Sequence, residues 1–593
     1  MGKKVERVED RLADFTQDKR VLLLSLLAFV IGCISAVVAY VLVWLIAVIT
    51  GFSFFQRYTP ELLSPALNRL GPFVILVPVV GGLVIGLMAR YGSEKIRGHG
   101  IPEALEAILF GRSRMSPKVA VLKPLSSAIS IGTGGPFGAE GPIIMTGGAV
   151  GSLIAQMFHL SAAERRTLLV AGAAGGMAAI FDAPVSAVLL AVELLLFEWR
   201  PRSFIPVAVA SVAAAALRVP LLGPGPIFAV HPHTALGAEG LFVALVVGVA
   251  AGLASGLLTA LVYGFEDLFE RLPIHWMWWP AIGGLFVGLG GYFDPRVLGV
   301  GYDTIHALLR GEVLGAALIG LLIGKSLVWS IALGSGTSGG VLAPLLMMGG
   351  ALGALAAHFI PGGDVGLWAT IGMAAMMGGT MRSPLTAMVF TLELTYDFRL
   401  FPALLVGCVA AYALTVLLLR RSILTEKVAR RGYHITREYS VDPLTALRVG
   451  EVMDREPPTV PASMKVAELS DRIAHRDPRL TRRQGIAVVD DEGKLAGIIT
   501  RGDVLRAIEQ GANAHTTVLE AGSTRLVVAY PDEILHEAVT KMLRNDIGRL
   551  PVVSREDQRQ LLGYLGRASV MAARLRRLEE EQVREQGLSF NVS

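Results

Sequence analysis

The chain has 593 residues, of which 53% are hydrophobic and only 17% are charged, and its formal net charge is +5. A soluble protein carries about a quarter charged residues, so this composition excludes an ordinary soluble globule over most of the chain. The positive charge does not indicate nucleic acid, because basic residues cluster at the ends of apolar segments, as in cytoplasmic loops of membrane proteins. Cys33 and Cys408 both lie in apolar runs; they predict neither a disulfide framework nor a metal site.

Residues 1–20 are charged and contain no cleavage-type sequence, so we expect a cytoplasmic N-terminal segment and no signal peptide. Apolar runs of at least about 20 residues then follow one another, each long enough to cross a bilayer. They predict a polytopic membrane domain over residues 21–432. The basic loops favour the inner membrane of a bacterium, with both termini and the C-terminal domain in the cytoplasm.

The membrane segment contains a two-fold internal repeat. GTGGPFGAEGPIIMTGGAVGSLIA at 132–155 aligns without a gap with GSGTSGGVLAPLLMMGGALGALAA at 334–357, and DAPVSAVLLAVEL at 182–194 aligns with RSPLTAMVFTLEL at 382–394. Glycines and prolines match as well as apolar residues, which chance similarity between apolar segments does not explain. We therefore predict two repeats, at about 21–218 and 238–420.

Three glycine-rich stretches, GHGIP at 98–102, GAEGP at 138–142 and GVLAP at 340–344, each lead into an apolar run. Glycine frees the backbone from helical geometry, and a proline in the first turn starts a helix. The N–H groups at such a start attract an anion, and the helix dipole contributes about 0.3–2 kcal/mol. Irregular backbone at membrane depth is tolerated only where protein or water surrounds it. The pattern predicts an anion pathway built from helix starts of both repeats.

These residues resemble the CLC family of chloride channels and chloride/proton exchangers. The family's filter stretches GSGIP, GREGP and GxFxP correspond to the three stretches above, and the SIYTEK of its closing helix corresponds to SILTEK at 422–427. The resemblance therefore implies a closing helix at about 421–432. The resemblance covers nearly all of residues 20–430. It implies an all-α polytopic membrane protein with an inverted repeat of about eighteen helices, some of them broken. It also implies a homodimer with one pore per subunit, no enzyme activity and no required cofactor.

Glu140 stands where the family places its gating glutamate. An ionised carboxylate there would occupy the anion site itself, and protonation or displacement by an anion would move it away. The alternative is a carboxylate that only caps its helix, although an intramembrane ionisable residue is functional by default. The GAEG at 237–240 lacks the following proline, and we expect Glu239 in the first turn of an exposed helix. The resemblance implies these anion-binding residues: Gly98, His99, Gly100, Ile101, Pro102, Gly138, Ala139, Gly141, Pro142, Gly340, Val341, Leu342 and Leu424.

Three departures from the family pattern at these positions matter for the anion. His99 replaces a serine hydroxyl, Leu424 replaces a tyrosine hydroxyl, and Leu342 replaces a phenylalanine, which is the mildest change. Imidazole can donate, accept or carry charge. Chloride needs only donors, whereas bicarbonate carries its own O–H and suits a neutral histidine that also accepts. Chloride is the favoured anion and bicarbonate the alternative, with nitrate, fluoride and other anions left open.

A fourth departure concerns proton coupling. The family's exchangers usually have two adjacent glutamates after the FxAP stretch, and the second relays protons from the cytoplasm. Here Glu193 matches the first and Leu194 the second, so the inner relay position is lost. Glu193 recurs as Glu393, which favours a structural role such as hydrogen bonding to backbone. We therefore expect passive conduction or proton-independent exchange. The alternative is a proton-coupled antiporter in which His99 carries protons.

The C-terminal part resembles a pair of CBS motifs. Residues 433–447 form a predicted linker, residues 448–575 the α/β CBS-pair (Bateman) domain, and residues 576–593 a charged helical tail. Each motif predicts a strand, a helix, two strands and a final helix. Nucleotide-binding repeats use a Thr or Ser and an Asp after the last strand to contact ribose. The first repeat retains Thr500 and Asp503, whereas the second has Gly566 and Ser569. Adenine nucleotide binding and dimerisation alone both stay open.

Other functional classes fit less well. A divalent-cation transporter needs intramembrane carboxylates to meet the ion, whereas helix N-termini repel cations. A metalloprotease needs HExxH, and the nearest string, at 536–540, ends in Thr540. His231 and His233 flank a proline in a predicted loop and have no third ligand, so we predict no metal site. A purely sensory membrane protein does not need three anion-facing helix starts.

Overall fold

The computed structural model describes residues 20–582, apart from 231–232, 361–363, 434–443, 445–446, 476, 478–479, 481–484 and 511–514. The chain divides near residue 435 into two compact units. The first unit is helical, and the second is a mixture of helices and short strands.

In the described residues, the first unit is a series of eight helices that occurs twice. The first series consists of α1 (Arg20–Phe55), α2 (Leu76–Tyr91), α3 (Ile101–Leu109), α4 (Pro117–Gly132), α5 (Glu140–Gln156), α6 (Ala162–Phe181), α7 (Pro184–Leu190) and α8 (Pro201–Leu222). The second consists of α9 (Ala238–Glu270), α10 (Trp279–Phe293), α11 (Tyr302–Leu309), α12 (Ala316–Gly334), α13 (Leu342–Ala357), α14 (Val365–Met381), α15 (Pro384–Thr395) and α16 (Phe401–Leu418). A closing helix, α17 (Ile423–Arg430), follows. The repeat predicted from glycine and proline positions therefore appears as a repeat of helices.

Partly exposed apolar helices surround helices that are almost wholly buried. Six stretches of the described chain are long and apolar enough to cross a membrane: Arg20–Phe55, Gly71–Tyr91, Pro201–Leu222, Ala238–Glu270, Ala316–Gly334 and Phe398–Arg430. By contrast, α6 is buried at every residue from Thr167 to Phe181. Glycine permits this packing, because a Cβ at Gly147 of α5 would overlap the carbonyl oxygen of Gly172 in α6. The broken helices thus lie inside the protein, where their ends are shielded from lipid.

In the residues that the structure describes, the second unit contains two small sheets. Strand β1 (Thr459–Pro461) runs parallel to β2 (Gly485–Val489), which pairs antiparallel with β3 (Leu495–Thr500), and β4 (Arg549–Val553) pairs antiparallel with β5 (Leu561–Gly566). The helices are α18 (Val449–Val452), α19 (Val466–Ala474), α20 (Arg501–Glu509), α21 (Val518–Ala521), α22 (Leu535–Arg544) and α23 (Arg567–Gln582).

The two halves of this unit differ at one predicted strand. The first half follows the predicted order of strand, helix, two strands and helix. In the second, the first strand is reduced to an isolated parallel bridge between Ala529 and Val552. Pro531 has no N–H with which to extend that ladder. The described part of the predicted C-terminal tail continues α23, and residues 583–593 lie outside the described residues.

Candidate functional site

Helices α5 and α13 begin side by side, although they belong to opposite repeats. Just before the two starts, the Gly138 N–H donates to the Gly340 carbonyl at 3.2 Å, and the Gly340 N–H donates to the Gly138 carbonyl at 2.8 Å. The third stretch joins them, because the Gly339 N–H donates to the Gly98 carbonyl at 3.4 Å. The structure thus brings together all three glycine-rich stretches identified in the sequence.

Glu140 is fully buried where these stretches meet. Its Oε1 accepts a 2.6 Å hydrogen bond from the backbone N–H of Ala343 in the first turn of α13. Its Oε2 has no hydrogen-bond partner among the described residues. A Cβ on Gly138 or Gly340 would overlap this carboxylate, so the two glycines provide its space. The side chain therefore occupies the N-terminal end of the opposite helix, which is where an anion would bind.

The α3 stretch forms a tight turn around His99. Gly98 and Gly100 have φ values of 78° and 88°, a region in which residues with a Cβ are strained. His99 is 2% exposed, and its Nδ1 has no hydrogen-bond partner in the described part of the chain. A Cβ on Gly141 would overlap the His99 carbonyl oxygen, so this turn lies directly against the start of α5.

The remaining predicted site residues are buried at the same helix starts. Ile101 and Pro102 begin α3, Ala139 to Pro142 span the start of α5, and Val341 and Leu342 stand at the start of α13. Leu424 is buried in the first turn of α17, which packs against α3. Glu239 lies exposed in the first turn of α9, as expected for a glutamate outside the site.

Two buried lysines near these turns escaped the sequence analysis. Lys123 Nζ in α4 donates to the carbonyls of Ile96 and Gly98 at 2.8 and 2.6 Å. Lys325 Nζ in α12 donates to the carbonyls of Val297 and Gly299 at 2.9 and 3.1 Å. Both side chains are fully buried, and the internal repeat relates them. A lysine at the same offset in two apolar helices was the available signal.

Lys123 also contacts the second repeat. Its Nζ donates to the Ser338 hydroxyl at 3.1 Å, and the hydroxyls of Ser126 and Ser127 lie within 3.1 and 2.8 Å of the same Ser338 oxygen. The Lys123 ammonium group therefore links the carbonyls of the α3 turn to the Ser338 hydroxyl. This places a positive charge next to the predicted anion-binding residues.

Glu193 lies in a π-helical turn, Ala191–Leu196, that continues α7. Its carboxylate accepts from the N–H groups of Leu385 and Thr386, at 3.3 and 2.8 Å, at the start of α15. These contacts give Glu193 the structural role expected from its repetition, although the partners come from the opposite repeat. Leu194 beside it is fully buried and has no titratable group.

The next carboxylate along the chain after Leu194 is Glu198, in the connection between the π-helical turn and α8. Arg166, Arg200 and Arg202 lie 3.0, 3.5 and 3.7 Å from its Oε2. Burial raises the pKa of this carboxyl, but the three guanidinium groups outweigh burial and hold the pKa below its ordinary value. Glu198 therefore stays ionised and is a poor substitute for a proton-relaying glutamate.

His233 contacts two aspartates. Its Nδ1 lies 2.6 Å from Asp397 Oδ2, and its Nε2 lies 3.3 Å from Asp364 Oδ2. His231 lies outside the described residues. In the part of the chain that the structure describes, no group of three or more His, Cys, Asp or Glu side chains is arranged to hold a metal ion.

Thr500 and Asp503 form a capping box at the start of α20. Asp503 Oδ2 accepts from the Thr500 N–H and hydroxyl at 2.8 and 2.7 Å, and the Asp503 N–H donates back to Thr500 Oγ1 at 3.2 Å. Arg506 pairs with the other carboxylate oxygen. Both side chains thus have a local role in starting the helix. In the second half, Gly566 ends β5 and Ser569 lies in the first turn of α23.

Each of the two units matches a known family model. The voltage gated chloride channel family model matches residues 81–416, and the CBS domain model matches residues 449–510 and 518–576. A Citrobacter koseri protein named H(+)/Cl(-) exchange transporter ClcA is 27% identical over 420 residues, which cover 67% of this chain and 86% of that protein.

Solved structures share the fold. A slow cyanobacterial Cl−/H+ antiporter gives a TM-score of 0.63 at 22% sequence identity and covers 70% of this chain and 99% of its own. A eukaryotic CLC transporter gives a TM-score of 0.61 at 18% identity and covers 93% of this chain and 98% of its own.

Proposed function

The chain belongs to the voltage gated chloride channel (CLC) family, whose model matches more than half of its length, and on that basis we propose that it is an anion pathway gated by Glu140. The proposed anion is chloride, and the proposed transport is not coupled to protons in the family's usual way. The observation that carries the proposal is the 2.6 Å hydrogen bond from the Ala343 N–H to the Glu140 carboxylate.

The gating argument follows from competition for one site. The carboxylate and an anion both bind the N–H groups at the start of α13, and two negative charges cannot share that space without a large repulsion. Protonation removes the charge of Glu140 and weakens its hold on the Ala343 N–H. An anion then replaces the side chain, and its return closes the pathway.

Two observations support the absence of conventional proton coupling. Leu194 stands at the inner relay position, and the neighbouring Glu193 is occupied in capping α15. Glu198 is held ionised by three arginines. The Citrobacter koseri relative is named as a proton/chloride exchanger, so a proton-coupled antiporter stays a further alternative.

Bicarbonate is the second candidate for the anion. It is favoured by the buried Nδ1 of His99, which has no partner among the described residues. A neutral imidazole offers one donor and one acceptor, and bicarbonate can satisfy both because it also carries an O–H. Chloride can satisfy only the donor. Leu424 adds no donor to the same region.

We also propose a homodimer with one pore per subunit, with the CBS pair and both termini in the cytoplasm. For the CBS pair we propose adenine nucleotide binding at Thr500 and Asp503, with dimerisation alone as the alternative. A ribose bound there would have to displace Arg506 from the Asp503 carboxylate.

Reconstituted liposomes test the proposal. Efflux of chloride and of bicarbonate would be measured separately, with the internal pH followed in the same vesicles and the Glu140→Ala variant as the control. We expect chloride efflux without stoichiometric proton movement. Stoichiometric proton uptake would overturn the uncoupled mechanism. Strong bicarbonate flux with weak chloride flux, relaxed in His99→Ser, would instead identify bicarbonate as the anion.

A further inference from the structure

Glu103 places a negative charge beside the α3 turn. Its side chain is 3% exposed, and its Oε2 accepts a 3.0 Å hydrogen bond from the Gly100 N–H. That N–H belongs to the turn that also holds His99. An anion bound to this turn therefore lies near a buried carboxylate, and the repulsion weakens its binding unless a cation offsets the charge.

Arg431 supplies this cation from the end of the membrane unit. Its Nη2 donates to Glu103 Oε1 at 2.9 Å, and its Nη1 donates to Glu106 Oε2 at 2.6 Å. Lys427 is a second cation beside Glu103, with its Nζ 3.8 Å from Oε1 and a side chain that is 15% exposed, against 38% for Arg431. The guanidinium thus bridges two carboxylates of α3 at once, which is the geometry that arginine suits best.

The position of Arg431 in the chain connects it with the C-terminal module. It follows α17 directly and precedes the segment that leads into the CBS match at residue 449. Two residues later the Tyr433 ring stacks on Phe110 at the end of α3, with centroids 4.4 Å apart and an angle of 24° between the planes. Residues 431–433, where the linker starts, are therefore attached to α3 by ion pairs of Arg431 and by the ring contact of Tyr433.

We propose that Arg431 is a positioning residue that sets the anion affinity of the α3 turn by neutralising Glu103. Displacement of the linker start from α3 exposes the bound anion to the Glu103 charge and lowers the affinity. The inference rests on the proposed anion pathway. It adds a route by which the chain after α17 can act on that pathway.

The test compares two neighbouring arginines in the full-length protein. The dissociation constant for chloride would be measured by calorimetry, and the apparent KM for chloride by flux in liposomes. We expect Arg431→Gln to raise the dissociation constant and the apparent KM about three- to tenfold, with little change in maximal flux. A change of this size corresponds to one lost charge-assisted contact. Arg430→Gln is the matched control, since Arg430 pairs with Asp267 and Glu426 and not with Glu103. It should leave both constants unchanged.

A second pair of variants separates charge from packing. Glu103→Gln keeps an acceptor for the Gly100 N–H and removes the charge, so Arg431→Gln should have no further effect in that background. Arg431→Lys should retain most of the wild-type affinity. Equal effects of Arg431→Gln with and without Glu103 would overturn the proposal, and so would equal constants for Arg431→Gln and Arg430→Gln. If Glu103→Gln does not fold, Arg431→Lys is compared with Arg431→Gln instead. Equal losses of chloride affinity in these two variants would overturn the proposal. A wild-type protein that neither binds nor conducts chloride or bicarbonate would refute the proposed function itself.

Discussion

Glu193 and Glu393 are equivalent residues of the two repeats, and each caps the helix that begins in the other repeat. Glu193 accepts from Leu385 and Thr386 at the start of α15, and Glu393 accepts from Val185 and Ser186 at the start of α7 at 2.9 and 2.8 Å. Each half of the membrane unit thus depends on a carboxylate of the other half. This reciprocal contact favours a structural function for both glutamates.

Loss of one cap should destabilise the protein without changing proton movement. Glu193→Ala leaves two N–H groups at the start of α15 without their acceptor, and we expect a loss of about 1–3 kcal/mol in the free energy of unfolding. Thermal unfolding in detergent measures it as a lower Tm. Glu239→Ala is the control, because Glu239 occupies an exposed first turn. An unchanged Tm together with altered proton movement would show that Glu193 acts in transport.

The Glu140 contact predicts a pH-dependent flux. Protonation neutralises the carboxylate that occupies the start of α13, so chloride flux should rise as the pH falls. Glu140→Gln carries no charge at any pH, and its flux should be high and independent of pH. Stopped-flow or electrode measurements on liposomes between mildly acidic and neutral pH provide the check. A wild-type pH profile that persists in Glu140→Gln would assign the pH dependence to another group.

His99 and Leu424 predict a change in anion preference. His99→Ser replaces a ring that can both accept and donate with a small hydroxyl, and Leu424→Tyr adds a second hydroxyl donor. We expect the double variant to shift the ratio of chloride to bicarbonate flux toward chloride by about tenfold, the effect of roughly one hydrogen bond. Each single variant is measured beside it. An unchanged ratio would mean that backbone N–H groups alone select the anion.

The pattern of glycines and prolines predicted which stretches of the chain meet at the candidate site. Glycines and a proline near each helix start are local signals, and the repeat showed that two of the stretches are equivalent, so their convergence and the place of Glu140 could be expected. Contacts between residues that are far apart in the chain could not be predicted in this way. Arg431 and Glu103 are 328 positions apart, and Lys123 and Ser338 are 215 apart. Such pairs depend on how whole helices pack, which no local pattern encodes.

The two buried lysines offer an internal control for the effect of charge at the anion site. Lys123 and Lys325 each donate to two carbonyls of a glycine turn, but only the Lys123 turn contains the predicted anion-binding residues. Replacing either lysine with methionine leaves buried carbonyls without donors, and we expect each variant to lose about 1–3 kcal/mol in the free energy of unfolding.

Only Lys123→Met also removes a positive charge from beside the α3 turn, so it alone should weaken chloride binding. Calorimetric titration of both variants beside their Tm values separates the two effects. Equal losses of chloride affinity in Lys123→Met and Lys325→Met would indicate that the lysines act only through the stability of the fold. A loss confined to Lys123→Met would assign the effect to the place of Lys123 beside the α3 turn and Ser338, because the damage to a glycine turn is common to both variants.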